Sequence, residues 1–218
     1  MIVTIDGPAG TGKSTTARQL ANRLGFEYLD TGAMYRAVAA ECLRRSIDPM
    51  DTASVGQLAQ SLTITFDEGR TFAAGRDVTG ELRTAETTQA ASLIAQNPDV
   101  RSALIDAQRR IADERHIVCE GRDQGTVAFP HAACKFFLTA DPEVRALRRQ
   151  QELASQGTDV PLAKLLAEQT ARDQRDENRE IAPLIPAPDA QIIDTTASDI
   201  EEVVTRLEAI VRSKLESA

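Results

Sequence analysis

Apolar positions along this chain alternate between two textures, short β-branched runs and stretches repeating every three to four residues. Residues 2–5 (Ile-Val-Thr-Ile) form a run compact enough for a buried strand. Ala17, Leu20, Ala21 and Leu24 then recur at helical spacing until Gly25 stops the helix. Residues 26–29 predict a second strand, followed by a helix through Met34, Val38 and Cys42 to Arg45. After a break at 47–49, Asp51 is the predicted cap of a helix carrying Val55, Leu58 and Leu62. Residues 62–66, 71–74 and 76–79 are β-prone runs separated by Glu68-Gly69 and Gly75, the pattern of a small antiparallel meander. Helices are predicted over 84–95 and from Pro98 to 114, and strands over 117–120, 135–138 and 191–194. Pro142 opens a helix to about Gln156, Pro161 opens another to 179, and Ser198 is the predicted cap of the closing helix through Val203, Leu207, Ile210 and Leu215.

Five strands alternating with helices predict an α/β fold, a five-stranded parallel sheet flanked by helices. Its ligands are expected at the strand C-terminal ends, which carry Asp6, Asp30-Thr31, Glu120–Asp123, Thr139 and Asp194. The stretch 63–100 interrupts the βα rhythm and reads as an insertion in a single domain spanning 1–218, with 150–180 as a helical lid region. A length of 218 residues, 42% hydrophobic and 27% charged, is enough for one core without staples. Apolar runs are too short to span a bilayer, and residue 1 leads straight into a strand with no signal sequence. Cys42, Cys119 and Cys134 are scattered and odd in number, so they read as small buried hydrophobes in a reducing compartment. A cytoplasmic monomer without membrane partners is the expectation. The net charge of −8 argues against nucleic acid as a partner.

The chemistry starts at Gly7-Pro8-Ala9-Gly10-Thr11-Gly12-Lys13-Ser14, which fits G-x-x-x-x-G-K-[ST] between the first strand and first helix. In a P-loop, glycines let successive backbone N–H groups turn toward a phosphate, and the helix N-terminus adds its positive dipole end. Residues 7–15, including Thr15, would cradle ATP, Lys13 would bridge the outer phosphates and Ser14 would hold Mg²⁺. Two arginine clusters add to this. Arg145, Arg148 and Arg149 are like charges at i, i+3 and i+4, a mild liability unless an anion lies between them. The stripe of the helix from Pro161 begins as Leu162, Leu165 and Leu166 and continues as Gln169, Arg172, Asp176 and Arg179. Such a face points at something polar, as a lid closing over phosphates would; intrahelical pairing of Glu168, Arg172 and Asp176 is the alternative.

Beyond the P-loop, the chain carries Thr4-Ile5-Asp6-Gly7-Pro8, Asp30-Thr31-Gly32-Ala33-Met34-Tyr35-Arg36, Asp77–Thr84, Gly121-Arg122-Asp123-Gln124-Gly125-Thr126 and Arg172-Asp173-Gln174-Arg175-Asp176-Glu177-Asn178-Arg179. Over nearly its whole length it resembles the bacterial cytidylate kinases, within the nucleoside monophosphate kinase family. The resemblance implies phosphorylation of CMP and dCMP by ATP·Mg²⁺. It implies that Arg36, Arg122 and Arg179 hold the acceptor phosphate, and that Ser92, Arg101 and Asp123 read cytosine. Arg172 and Asp176 match positions near the sugar, Thr31 and Tyr35 lie in the acceptor pocket, and Arg148 is placed on ATP. Lys13, Arg122, Arg172 and Arg179 are the residues expected to act on the transferring phosphoryl group. Glu120 stands where some relatives have Asp, and Gln124 where an apolar residue is common. Phosphoryl transfer to a phosphate oxygen needs placement and charge neutralisation but no histidine base, which suits His116 and His131 lying away from the motifs. Other small P-loop kinases, for adenylate, thymidylate, uridylate or shikimate, are the alternatives. A GTPase switch is disfavoured because no N-K-x-D guanine reader occurs.

Overall fold

The computed structural model describes residues 1–155 and 157–217. The chain forms two compact units, one made of Met1–Leu29 with Ala112–Ala218, the other of Asp30–Ile111.

In the first unit, β1 (Ile2–Asp6), β2 (Glu27–Asp30), β6 (Ile117–Glu120), β7 (Cys134–Thr139) and β8 (Gln191–Asp194) make one sheet in the order β2-β6-β1-β7-β8. The sheet is parallel, as the βα alternation predicted, with Ile5 opposite Glu120, Asp6 opposite Phe137 and Thr139 opposite Asp194. That register brings the polar strand ends to one edge, with β1 at the centre. Val3, Ile5, Val118, Phe136, Leu138 and Ile193 face α1 (Lys13–Leu24) and α8 (Ile200–Glu216) through Ala17, Leu20, Val204, Leu207 and Val211 in one buried core. Gly25 ends α1 with φ 69°, as its position predicted. The closing helix is capped by Asp199, not Ser198: Asp199 accepts from Glu202 N, and the Glu202 side chain accepts from Asp199 N. α6 (Pro142–Ser155) and α7 (Leu162–Glu177) complete the unit; the predicted end of α6 at Gln156 lies outside the described residues.

The second unit holds α2 (Thr31–Arg44), α3 (Thr52–Ser61), α4 (Ala85–Ile94), most of α5 (Pro98–Ala112) and the antiparallel sheet β3 (Ile64–Asp67), β4 (Arg70–Ala73), β5 (Arg76–Asp77). The meander is present, its third strand shorter than predicted because Val78 leaves the ladder for turns after Asp77. Asp51 caps α3 as expected. Ala33, Ala37, Ala73, Val78 and Leu82 form the small core between α2 and this sheet. A buried carboxylate tightens the same corner: Glu41 pairs with Arg44, Arg45 and Arg76, and Arg76 also pairs with Glu81. The Arg44 contact, with Arg45 adding to it, holds Glu41 at about 2, well below the usual carboxylate range.

All three cysteines are buried free thiols, as their spacing suggested, and burial pushes Cys42 up to about 11. No helix among the described residues is long and apolar enough to cross a membrane.

Candidate active site

β1 ends on Asp6 and the chain turns at once into the P-loop. Gly7 takes φ +141°, and a Cβ there would lie 2.1 Å from Leu138 O on β7, so no side chain fits. Lys13 opens α1 and folds back to donate from Nζ to Pro8 O at 2.5 Å, closing the loop on itself. Burial and the nearby Arg122 charge lower Lys13 from its ordinary value to about 7. Ser14 Oγ donates to Glu120 Oε1 at 2.6 Å, and the Tyr28 hydroxyl lies 3.5 Å from the same oxygen. A hydroxyl and a hard carboxylate thus meet beside the cradle, an oxygen set of the kind Mg²⁺ takes together with substrate phosphates.

After β6 the chain does not run through a plain loop. Residues Gln124–Ala128 wind into a π-helical turn, with Ala128 N and Val127 N donating to Asp123 O and Phe129 N to Gln124 O. Arg122, at the start of this turn, donates from Nε to Asp176 Oδ2 at 2.8 Å. Burial works against both charges; their mutual attraction outweighs it, so Arg122 is held above and Asp176 below the ordinary value.

α7 presents the predicted stripe, with one correction. Leu165 and Asp176 are buried, and Leu166, Gln169, Arg172 and Arg179 are half-buried, but Leu162 is 37% exposed because the first turn of the helix is uncovered. The stripe also includes Asp173, to which the sequence assigned no role. Asp173 forms a buried ion pair with Arg145 of α6, and its Oδ1 lies 3.5 Å from Ala9 N. Arg145 in turn donates to Ala9 O at 3.0 Å. Both polar faces of Ala9 are therefore gripped by one ion pair. Gln169 Nε2 donates to Arg145 O at 3.3 Å and comes against Gly10. No shared anion is needed to explain Arg145, Arg148 and Arg149, since each has its own partner. Arg145 takes Asp173, Arg149 takes Glu152, and Arg148 holds Thr195, whose hydroxyl donates to Thr11 O.

In the other unit, Asp30 caps α2 by accepting from Ala33 N at 2.8 Å and also takes Arg36 Nη2 at 3.0 Å. Buried Thr31 and half-buried Tyr35 and Arg36 occupy the first two turns of α2, and Ser92 stands on α4, which packs on α2. Ser92 Oγ is buried with no hydrogen-bond partner among the described residues, as is Arg36 Nε on α2. Arg101 is buried on α5 and reaches Ala95 O at 3.4 Å.

A profile of the cytidylate kinase family matches residues 3–213. The chain belongs to that family. It is 45% identical to the cytidylate kinase of Mycobacterium leprae (strain Br4923) over 98% of this chain and 96% of that one. With the cytidylate kinase of Solibacter usitatus (strain Ellin6076) it shares 47% identity over 99% and 94%. Among solved structures, the shikimate kinase of Bacteroides thetaiotaomicron aligns over 97% of this chain and 98% of its own, with a TM-score of 0.50 and 14% identity, a likeness of fold alone. As a member of the cytidylate kinase family, the chain is a nucleoside monophosphate kinase. The P-loop, Arg122, Asp123, Arg172, Asp176 and Arg179 fall in the first unit, and Thr31, Tyr35, Arg36, Ser92 and Arg101 in the second. Sequence reasoning gave Asp173 and Thr195 no role, placed Asp6 only at a ligand-facing strand end, and read Arg145 as facing an anion. Asp6 and Asp173 were within matched motifs, so the signal was present without a geometry to assign it.

Proposed function

We propose that this chain transfers the terminal phosphoryl group of ATP to CMP and dCMP, and that its acceptor is chosen by the residues named above. The observation that carries the reading is the P-loop with Lys13 at its mouth and Arg122 close enough to lower that lysine's pKa. Phosphoryl transfer calls for that concentration of positive charge where the transferring group sits. Residues 7–15 cradle ATP through the backbone N–H groups they have, all but that of Pro8, with Arg148 behind them, and Lys13 neutralises charge on the outer phosphates. Arg122, Arg172 and Arg179 meet the charge that builds up in transfer, and Arg36, Arg122 and Arg179 grip the acceptor phosphate. Ser14 and Glu120 are the residues that fit Mg²⁺, which when bound offsets charge on the phosphate oxygens.

Cytosine and uracil share a shape and differ in polarity, so the base has to be read by hydrogen bonds. Asp123 is suited to accept from the N4 amino group of cytosine, Arg101 to donate to its ring acceptors, and the buried Ser92 hydroxyl to serve either. Thr31, Tyr35, Arg172 and Asp176 complete the acceptor's surroundings. With UMP the same groups would face the wrong partners, a loss worth roughly a few kcal/mol in discrimination. We read the protein as a cytoplasmic monomer. The test is an ADP-release assay over all monophosphates, with wild type and Asp123→Ala. CMP and dCMP should win in the wild type, and the variant should lose kcat/KM chiefly for them. A different preferred acceptor, or ADP release independent of any acceptor, refutes the assignment.

A further inference from the structure

Asp6 stands at the root of the P-loop, yet its carboxylate is engaged elsewhere. Oδ1 accepts the amide of Gln124 at 2.9 Å, and Oδ2 accepts the amide of Gly125 at 2.8 Å. The turn that follows Arg122 and Asp123 is thereby fastened to the end of the central strand. Gly125 shows how close the seat is. A Cβ there would lie 3.0 Å from Thr4 Oγ1, 3.3 Å from Lys135 Cδ and 3.4 Å from Asp6 Oδ2. Carbonyls on the same stretch are also committed, Asp123 O to Val127 and Ala128 and Gln124 O to Phe129. The amides are held by Asp6 at the end of β1 and the carbonyls by the turn's own amides, so an internally bonded turn is tied to the central strand at 124–125.

This carboxylate is an expensive way to end a strand. Burial drives Asp6 up to about 7, with the Gly125 and Gln124 amides pulling it back. Both oxygens of this buried carboxylate go to the turn that follows Arg122 and Asp123.

We propose that Asp6 is a positioning residue for acceptor choice, clasping the Gln124 and Gly125 amides so that Arg122 and Asp123 are presented to the acceptor at a fixed height from the P-loop. The proposal rests on the reading of Arg122 and Asp123 given under Proposed function.

Two perturbations reach the clasp by different routes. Asp6→Asn keeps the volume but offers one acceptor oxygen for two amides and turns an NH₂ toward the other. Gly125→Ala leaves every charge in place and lifts the turn off its seat, and adding Thr4→Ala removes the nearest obstructing atom. Three measurements are made on each folded variant: amide hydrogen exchange over 121–129, kcat and KM for CMP and UMP, and the Kd for ATP. Both single variants should exchange faster over that peptide and raise KM for CMP by roughly ten- to a hundredfold, the scale of a displaced contact group. The CMP-to-UMP ratio of kcat/KM should shrink with it, while the Kd for ATP moves by less than about threefold, since phosphate binding rests on other amides. Thr4→Ala should recover part of the loss in the Gly125→Ala background. Unchanged exchange, an equal loss for both acceptors, or a loss confined to ATP overturns the proposal. A wild type without CMP preference refutes the functional reading instead, and the exchange arm still decides whether the clasp exists.

Discussion

Binding of ATP above neutral pH should take up a proton, and Lys13 is where it goes. In the free protein, burial and the Arg122 charge hold Lys13 at about 7 against an ordinary 10.5. A group with that pKa is about 90% neutral at pH 8. The triphosphate brings dense negative charge to the mouth of the P-loop, which favours the charged amine and returns its pKa toward the ordinary range. Between those two values the complex holds more protons than the separated partners. Binding there takes up protons, and affinity falls as pH rises through the window. The loss is about tenfold, or about 1.4 kcal/mol, between pH 6 and pH 8, and about another tenfold by pH 9. Competing titrations are small at pH 8, because Asp6, raised to about 7, is already ionised for the most part. The terminal phosphate, with a pKa near 6 for such groups, is ionised as well. Calorimetric titration of ATP, without acceptor, in two buffers of different ionisation enthalpy gives the proton count directly. We expect an uptake of about 0.5–0.9 protons at pH 8 that is absent in Lys13→Met. A binding enthalpy at pH 8 that does not depend on the buffer, or an uptake that survives Lys13→Met, refutes the reasoning.

Three further outcomes follow from the same geometry. Arg179→Ala should raise KM for CMP and cut kcat, with Arg179→Lys rescuing in part because the guanidinium fork is lost; wild-type kinetics in both would make α7 a charged surface only. Asp173→Asn leaves the buried Arg145 without its counter-charge, so thermal denaturation should show a loss of about 3–5 kcal/mol and kinetics a raised KM for ATP; an unchanged midpoint contradicts the grip on Ala9. Glu41→Gln should destabilise by up to about 3 kcal/mol at pH 7, less where water screens the half-exposed Arg44 and Arg45. Because the folded-state value of Glu41 is depressed to about 2, that contribution is whole above about 4.5 and fades as pH falls toward 2. The two proteins should therefore converge in stability in acid, and a gap that persists at pH 2 argues against the ion cluster.

Much of this fold is legible in the sequence because its signals are local. The strand, glycine loop and helix over 2–24 read correctly since each needs only neighbours within one turn. Where two local signals tie, the reading slips. Ser198 and Asp199 are both good caps and both have a glutamate three residues on, Glu201 and Glu202, yet only Asp199 forms the reciprocal pair. Contacts between distant positions left no trace. The Asp6 clasp joins residues 118 and 119 positions apart, and Arg145 meets Asp173 across 28. Helical periodicity placed Arg172, Asp176 and Arg179 on one face but not their partners. For Arg145, charge spacing alone suggested a shared anion, where packing against α7 supplies a carboxylate.

The attachment of α7 has a thermal consequence. Its buried face offers little beyond Leu165 and Leu166 before turning to Gln169, Arg172, Asp173 and Asp176, so the helix is fastened mainly by charge and hydrogen bonds. Lifting it would wet little hydrocarbon, and the heat-capacity change of that opening is correspondingly small. The core under β1 loosens on cooling as the hydrophobic drive weakens, whereas α7 does not share that dependence. An attachment made of ion pairs answers to ionic strength instead. If α7 serves as the lid we propose, warming or cooling therefore changes the stability of the sheet more than the equilibrium by which this helix opens.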